Sequence, residues 1–210
     1  MIDPLLNRAV GPPLAVIARL LVRLKLSADQ ITIGGFVLGM AALPAIYFEH
    51  YSLALLFILL NRLADGLDGA VARQTHTSDA GGFLDIVLDF IFYSAVVFAF
   101  IAHSPADYGL AGAFLMLSFM GTGGSFLAFA VMAGKHRIDN PDYPNKSLHY
   151  MSGLAEGFET ILTLCLLCLF PQHFVLIAVV FALICWVTAA VRIITGYQTL
   201  KALPAKGHQQ

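Results

Sequence analysis

Apolar residues run almost unbroken through most of this chain, and short polar stretches punctuate them. The first long run covers 30–48, and others follow at 52–73, 82–102, 109–133, 155–171 and 173–196. An α-helix rises about 1.5 Å per residue, so about 20 residues cross the hydrocarbon core of a bilayer. Six transmembrane helices are therefore expected, the last two joined tightly at Pro171-Gln172-His173. Residues 2–25 read differently. Pro12 and Pro13 break the run, and beyond them Leu14, Ile17, Leu20, Leu21 and Leu24 recur at helical spacing among Arg19, Arg23 and Lys25. That pattern predicts an amphipathic helix lying on the membrane surface. Ser27 or Asp29 then stands ready to cap the first span. The expected organisation is a juxtamembrane helix over 1–25, a six-helix transmembrane domain over 26–202 and a loose tail over 203–210.

Composition agrees. The 210 residues are 59% hydrophobic and only 12% charged, and mean hydropathy is +0.79. Soluble domains carry far less apolar and more charged sequence, so an all-α integral membrane protein is the reading. A net charge of −1 offers no basic field for nucleic acid. Cys165, Cys168 and Cys185 all sit in apolar runs, where cysteine behaves as a small hydrophobe rather than a redox or zinc pair. No cleavable signal peptide is expected, because the N-terminal arginines precede no apolar core with a small-residue cleavage site.

Loop charges orient the bundle. Arg8, Arg19, Arg23 and Lys25 precede the first span, Arg73 follows the second, Lys135, Arg137 and Lys146 lie between the fourth and fifth, and Lys201 and Lys206 follow the last. The opposite loops, Glu49-His50-Tyr51, 103–108 and 171–173, contain no Lys or Arg. The positive-inside rule puts both termini on the cytoplasmic side. Gly35-x-x-x-Gly39 and Gly153-x-x-x-Gly157 are candidate close helix contacts. Gly121-Thr122-Gly123-Gly124-Ser125 lies inside a span with no Lys after it, so it reads as helix packing rather than a phosphate loop.

Four acids stand out against this background. Asp65 and Asp68 end the second run, and Asp85 and Asp89 begin the third. A charge inside a membrane segment costs roughly 2.5–3.5 kcal/mol or more, so such residues are functional suspects. Spacings of three and four place each pair on one helical face. The linker from Gln74 to Ala80 is short and polar, so the two helices are antiparallel neighbours whose acid faces can meet. Four converging carboxylates repel unless cations sit between them. All-oxygen donors select hard ions, Mg²⁺ or Mn²⁺, and two such ions could clamp a diphosphate. Gly69 leaves room for a nucleotide to approach the backbone. Arg73 can fork onto a phosphate, and Ser78 can donate a hydroxyl to it. Arg62, one turn before Asp65, reads as an ion-pair partner for the cluster, and Asp79 as a solvated acid or helix cap.

The pattern Asp65-x-x-Asp68-Gly69-x-x-Ala72-Arg73, followed after seven residues by Gly81-x-x-x-Asp85-x-x-x-Asp89, resembles the signature of the CDP-alcohol phosphatidyltransferase family. The resemblance implies a metal-dependent enzyme of phospholipid biosynthesis, with 26–202 as its catalytic domain. It would move a phosphatidyl group from CDP-diacylglycerol to a small alcohol and release CMP. By position, Asp65, Asp68 and Asp85 would hold two Mg²⁺ or Mn²⁺ ions. Asp89 would be both ligand and general base. Gly69, Arg73 and Ser78 would contact the CDP moiety, and Thr32 takes a place where the family often lines the nucleotide pocket. The alternative for Thr32 is a hydroxyl bonded back to its own helix. The resemblance also implies a homodimer in the bacterial inner membrane, with the active site on the cytoplasmic side. It runs closer to inner-membrane members of uncertain acceptor than to glycerophosphate or inositol-phosphate branches, because Phe90 stands where some subfamilies carry Lys or Arg.

A second polar stretch, 134–160, lies on the same side and is basic. Lys135, Arg137 and Lys146, with Glu156 and Glu159 on one face of the fifth span, form a candidate acceptor pocket. The alternative there is a positive-inside loop with an internal ion pair to Arg192. Two other functions fit part of the pattern. One is transfer from a soluble CDP-alcohol to diacylglycerol. The other, of a different class, is a cation transporter with an acidic intramembrane site.

Overall fold

The computed structural model describes residues 3–136, 138 and 153–203. Among these the chain is helical from end to end: α1 (Asp3–Arg23), α2 (Ala28–Met40), α3 (Ala42–Tyr47), α4 (Tyr51–Gln74), α5 (Asp79–His103), α6 (Pro105–His136), α7 (Gly157–Leu169) and α8 (Phe174–Lys201), with a 3-10 turn at Pro171–His173.

The first helix runs through Pro12 and Pro13, which the hydrophobic pattern reads as a break. Two amide donors are lost there, yet the φ that proline imposes is close to helical, so the chain can continue. Ala18 is buried against Ala70 and Val71 of α4, with Leu14, Leu21 and Val22 alongside. Ile17, Leu20 and Leu24 stay exposed, as do Arg19 and Arg23. So α1 packs one edge on α4 and leaves an apolar and basic flank outside the fold. Ser27 caps α2 as expected: its hydroxyl accepts from Gln30 N at 3.2 Å, and Gln30 accepts back from Ser27 N at 3.0 Å.

The first predicted span is two helices rather than one. Helix α2 stops at Met40, four residues before Pro44. A proline removes the N–H that would bond to that carbonyl and clashes with it, which breaks the ladder there. Four segments are long and apolar enough to cross a membrane: Ala28–Tyr47, Asp79–His103, Pro105–His136 and Pro171–Lys201. The other two predicted spans stand apart for separate reasons. Helix α4 has the length but carries Arg62, Asp65, Asp68 and Arg73. Helix α7 has 13 residues, about 20 Å of rise, where a hydrocarbon core is about 30 Å.

The core lies between α5 and the surrounding helices. Phe92, Val96, Val97 and Phe100 of α5 are fully or nearly buried, and Leu115 of α6, Leu164 of α7 and Ala178 and Ala182 of α8 close around them. At one end Phe174 stacks close to Tyr108 (4.5 Å between centroids) and Phe100 (5.1 Å). That aromatic plug lies fifteen residues along α5 from Asp85, roughly 22 Å away. The acids are thereby confined to the opposite end.

Close approach of α2 to α4 is a matter of two glycines. A Cβ on Gly35 would collide with the Cβ of Ala64, and one on Gly39 would stand 2.8 Å from Asn61 Cβ and 2.9 Å from Phe92 Cε2. The expected Gly35–Gly39 contact is therefore present. The expected Gly153–Gly157 counterpart is not a helix pair, because Gly153 precedes α7 and fits instead against Thr188 and Arg192.

Candidate active site

Helices α4 and α5 are joined by only 75–78, so they run antiparallel and bring their acid-bearing ends together. Ser78 caps α5, accepting from Gly81 N at 3.0 Å, and Asp79 opens the first turn of that helix. Carboxylate oxygens of Asp65, Asp85 and Asp89 lie within 4.8 Å of one another. Asp68 lines the same small cavity but is turned toward α2, where Thr32 Oγ1 donates to its Oδ2 at 2.6 Å. The same hydroxyl lies 3.0 Å from the Ala28 carbonyl, the contact to its own helix that was the alternative for Thr32. Asn61 Nδ2 donates to the Gly35 carbonyl at 3.2 Å, pinning α2 beside the cluster.

Two further side chains meet the acids. Arg62 Nη2 lies 2.7 Å from Asp65 Oδ2, as its position one turn away suggests, and its Nη1 lies 3.9 Å from Asp89 Oδ2. Tyr93 donates its hydroxyl to that same Asp89 oxygen at 2.7 Å. Tyr93 falls outside the aspartate motif. The signal available was its spacing, four residues after Asp89 on one helical face.

Electrostatics decides what this arrangement can hold. Two ionised carboxylates at such separations repel by about 3 kcal/mol at an effective dielectric constant of 20. Three acids so placed, with Asp68 beside them and one guanidinium among them, do not neutralise themselves. An all-oxygen donor set of this kind fits a hard divalent cation, and the residues present suit one.

A groove of about 220 Å³ adjoins the acids, sharing Thr32, Asp68 and Asp85 with the acid cavity. Gly69, Arg73, Ser78 and Gly81 also line it. Arg73 folds back over Gly69, so a Cβ there would stand 3.2 Å from its Nη1. A Cβ on Gly81 would stand 3.0 Å from Asp29 Oδ1 and 3.2 Å from Ser78 Oγ. Asp29 and His76 are lining residues that no local spacing announces, since Asp29 comes from the first turn of α2 and His76 from the linker between α4 and α5.

Of the predicted acceptor residues, Lys135, Glu156 and Glu159 are among those described. Lys135 is exposed in the last turn of α6, and Arg137 and Lys146 lie outside the described residues. Glu156 and Glu159 are not two acids on one face of a span. Glu156 precedes α7 as its N-cap, accepting from Gly153 N at 3.0 Å, and Glu159 accepts from Glu156 N at 3.1 Å. A capping box satisfies orphan amides at a helix start, so local hydrogen bonding overrides the expected register. Glu156 nevertheless lines an interior cavity of about 140 Å³, together with Phe90, Tyr93, Thr122 and Arg192. Arg192 donates to the Thr122 carbonyl at 3.3 Å and lies 5.6 Å from the centre of the Phe126 ring.

The model of the CDP-alcohol phosphatidyltransferase family matches residues 25–194. The chain belongs to that family. It is 50% identical over 203 residues to the inner membrane protein YnjF of Escherichia coli K12, covering 97% of this chain and 98% of that one. Its fold is shared with the phosphatidylinositol phosphate synthase PgsA1 of Mycobacterium tuberculosis. The crystal structure of PgsA1 with manganese and citrate matches at a TM-score of 0.72 and 22% identity, over 93% of this chain and 97% of that one. The crystal structure of PgsA1 with CDP-DAG bound matches at 0.68 and 21% identity, over 94% and 98%. Family membership favours a transferase over the cation-transporter reading.

Proposed function

We propose that this protein transfers a phosphatidyl group from CDP-diacylglycerol to an alcohol, with release of CMP. The observation that carries this reading is the convergence of the Asp65, Asp85 and Asp89 carboxylates at the end of a groove that holds Gly69 and Arg73. Asp65, Asp68 and Asp85 serve as metal ligands, and Asp89 as ligand and general base. Bound Mg²⁺ or Mn²⁺, two per site, would supply positive charge to the diphosphate and to the leaving CMP. Arg73 forks onto a donor phosphate. Gly69 lets the nucleotide lie against the helix, and Ser78 and Thr32 complete its surroundings. Asp89 takes the proton of the acceptor hydroxyl as its oxygen attacks phosphorus. Tyr93 and Arg62 hold one oxygen of that carboxylate, so the other is left to meet the hydroxyl.

Six crossings, with both termini and the aspartates on the cytoplasmic side, complete the reading. Loop charge supports the orientation, and the inner-membrane relative supports the bacterial inner membrane as its place. A homodimer is expected of the assembled enzyme, and α1 lies on the membrane surface with its exposed Ile17, Leu20 and Leu24 toward lipid.

The test is CMP release by purified protein from CDP-diacylglycerol with Mn²⁺ or Mg²⁺, across a panel of alcohol acceptors. Acceptor-dependent release that stops on chelation is expected. Failure with every acceptor, together with no metal-dependent binding of the CDP-lipid, would overturn the reading.

A further inference from the structure

The cavity beside Tyr93 adjoins a second space. Three of its walls, Phe90, Phe119 and Gly123, are also walls of a larger groove of about 560 Å³ between α5 and α6. Phe90 lies flush on Gly123, where a Cβ would stand 2.6 Å from Phe90 Cε1. Beyond that shared wall the groove is lined by Val87, Ile91, Met120 and Leu127, all exposed at the surface of these two apolar helices. This surface meets lipid if α5 and α6 cross the membrane as their length and composition allow.

The spaces fall in a linear order. The nucleotide groove shares residues with the acid cavity but none, among the described residues, with the Tyr93 cavity or the apolar groove. Asp89 lies between, touched by Tyr93 from the far side. The apolar groove therefore adjoins the Tyr93 cavity and not the nucleotide groove, and the attacking alcohol has to arrive by a way that the nucleotide does not fill. The charge of the cavity narrows the class of that alcohol. Among the described residues it holds one guanidinium, Arg192, and one carboxylate, Glu156, with Asp89 behind Tyr93. An acceptor phosphate would meet one carboxylate for one cation there, whereas an uncharged hydroxyl head meets hydrogen-bonding groups on several sides.

We propose that the acceptor is itself a membrane lipid, an uncharged alcohol head carried on an acyl chain. The chain lies in the α5–α6 groove and the head enters the Tyr93 cavity past Phe90. This rests on the transferase reading above and names its acceptor. The acceptor O–H gives its proton to Asp89, a new O–P bond forms to the phosphatidyl phosphorus, and the P–O bond to CMP breaks. An acyl chain gains no hydrophobic energy on leaving lipid for such a groove. Its contribution is alignment, since the groove points the hydroxyl end toward the cavity.

Matched acceptors test this with the full chain in detergent or vesicles: monooleoylglycerol against glycerol, and phosphatidylglycerol against glycerophosphoglycerol. The chain-bearing member of a pair should support CMP release at least about tenfold faster, the discrimination that apolar fit gives. A chain-free acceptor that equals its partner, or release confined to glycerol phosphate, inositol phosphate or serine, overturns the proposal while the transferase reading stands. Release with no alcohol at all overturns both. The second arm is Gly124→Leu. Gly124 lines the groove with nothing within 4 Å of an added Cβ, so a side chain there fills the groove without straining the fold. The rate with the acyl-bearing acceptor should fall about tenfold, with CDP-diacylglycerol binding unchanged. An unchanged rate overturns the proposal, and so does loss of CDP-diacylglycerol binding, which would make the groove the donor's.

Discussion

Adjacent glycines on α2 offer a controlled test of how the site is built. Gly34 and Gly35 share a helix turn, yet a Cβ on Gly34 meets nothing within 4 Å, while one on Gly35 collides with Ala64 Cβ on α4. Ordinary carbon contacts need about 3.5–4 Å, so Gly35→Ala must push α2 from α4 by roughly 1 Å. Overpacking of this kind costs about 1–3 kcal/mol. The same displacement acts on Thr32, one turn earlier, whose 2.6 Å bond to Asp68 joins the two helices. Hydrogen bonds to charged groups contribute about 1.5–3 kcal/mol, so part of that is lost too. A total near 3 kcal/mol corresponds to a fall in melting temperature of about 6–12 °C for a chain of this size. Gly34→Ala should instead be neutral or slightly stabilising, since alanine is the better helix former by up to about 1 kcal/mol. The assay is thermal unfolding of the purified protein in detergent, with and without Mn²⁺, beside CMP release. Gly35→Ala should lose both stability and turnover, and Gly34→Ala neither. Equal behaviour of the two variants would refute the claim that contact at Gly35 sets the geometry of Thr32 and Asp68.

Asp89→Asn should abolish turnover while leaving the fold intact by circular dichroism; turnover at the original rate would remove the base role. Arg73→Ala should weaken CDP-diacylglycerol binding by roughly 10–100-fold, the worth of one charge-assisted phosphate contact, and direct titration of the lipid measures it. Arg62→Ala removes the cation 2.7 Å from Asp65, so the metal-free protein should melt lower and gain more from added Mn²⁺; a smaller metal-induced shift would contradict the view that Arg62 offsets the acids. Chelation of the unaltered protein should lower its melting temperature, with recovery on adding back Mg²⁺ or Mn²⁺, and no change would show that the carboxylates reach neutrality otherwise.

Membrane character, the cap at Ser27, the pairing of the acids by face and the Arg62–Asp65 ion pair were all determined by the sequence itself, because each depends on residues within a few positions of one another. Helical period sets which side chains share a face, and the cost of charge in an apolar run marks those that matter. The break of the first span before Pro44 belongs in the same class, since the proline's missing amide is a local fact. Tertiary structure alone decided which faces meet. Thr32 finds Asp68 across thirty-six positions only because Gly35 lets α2 lie on α4. Glu156 and Glu159 became a helix cap rather than a charged face because α7 begins at Gly157, a boundary that periodicity does not locate. Tyr93 combines both kinds of information. Its spacing from Asp89 is local, but its place between the acids and a cavity that shares walls with the α5–α6 groove follows from how α5, α6 and α8 rotate against each other. Rotation and crossing are settled by side-chain packing between distant segments, and no stretch of the chain read alone contains both sides of that contact.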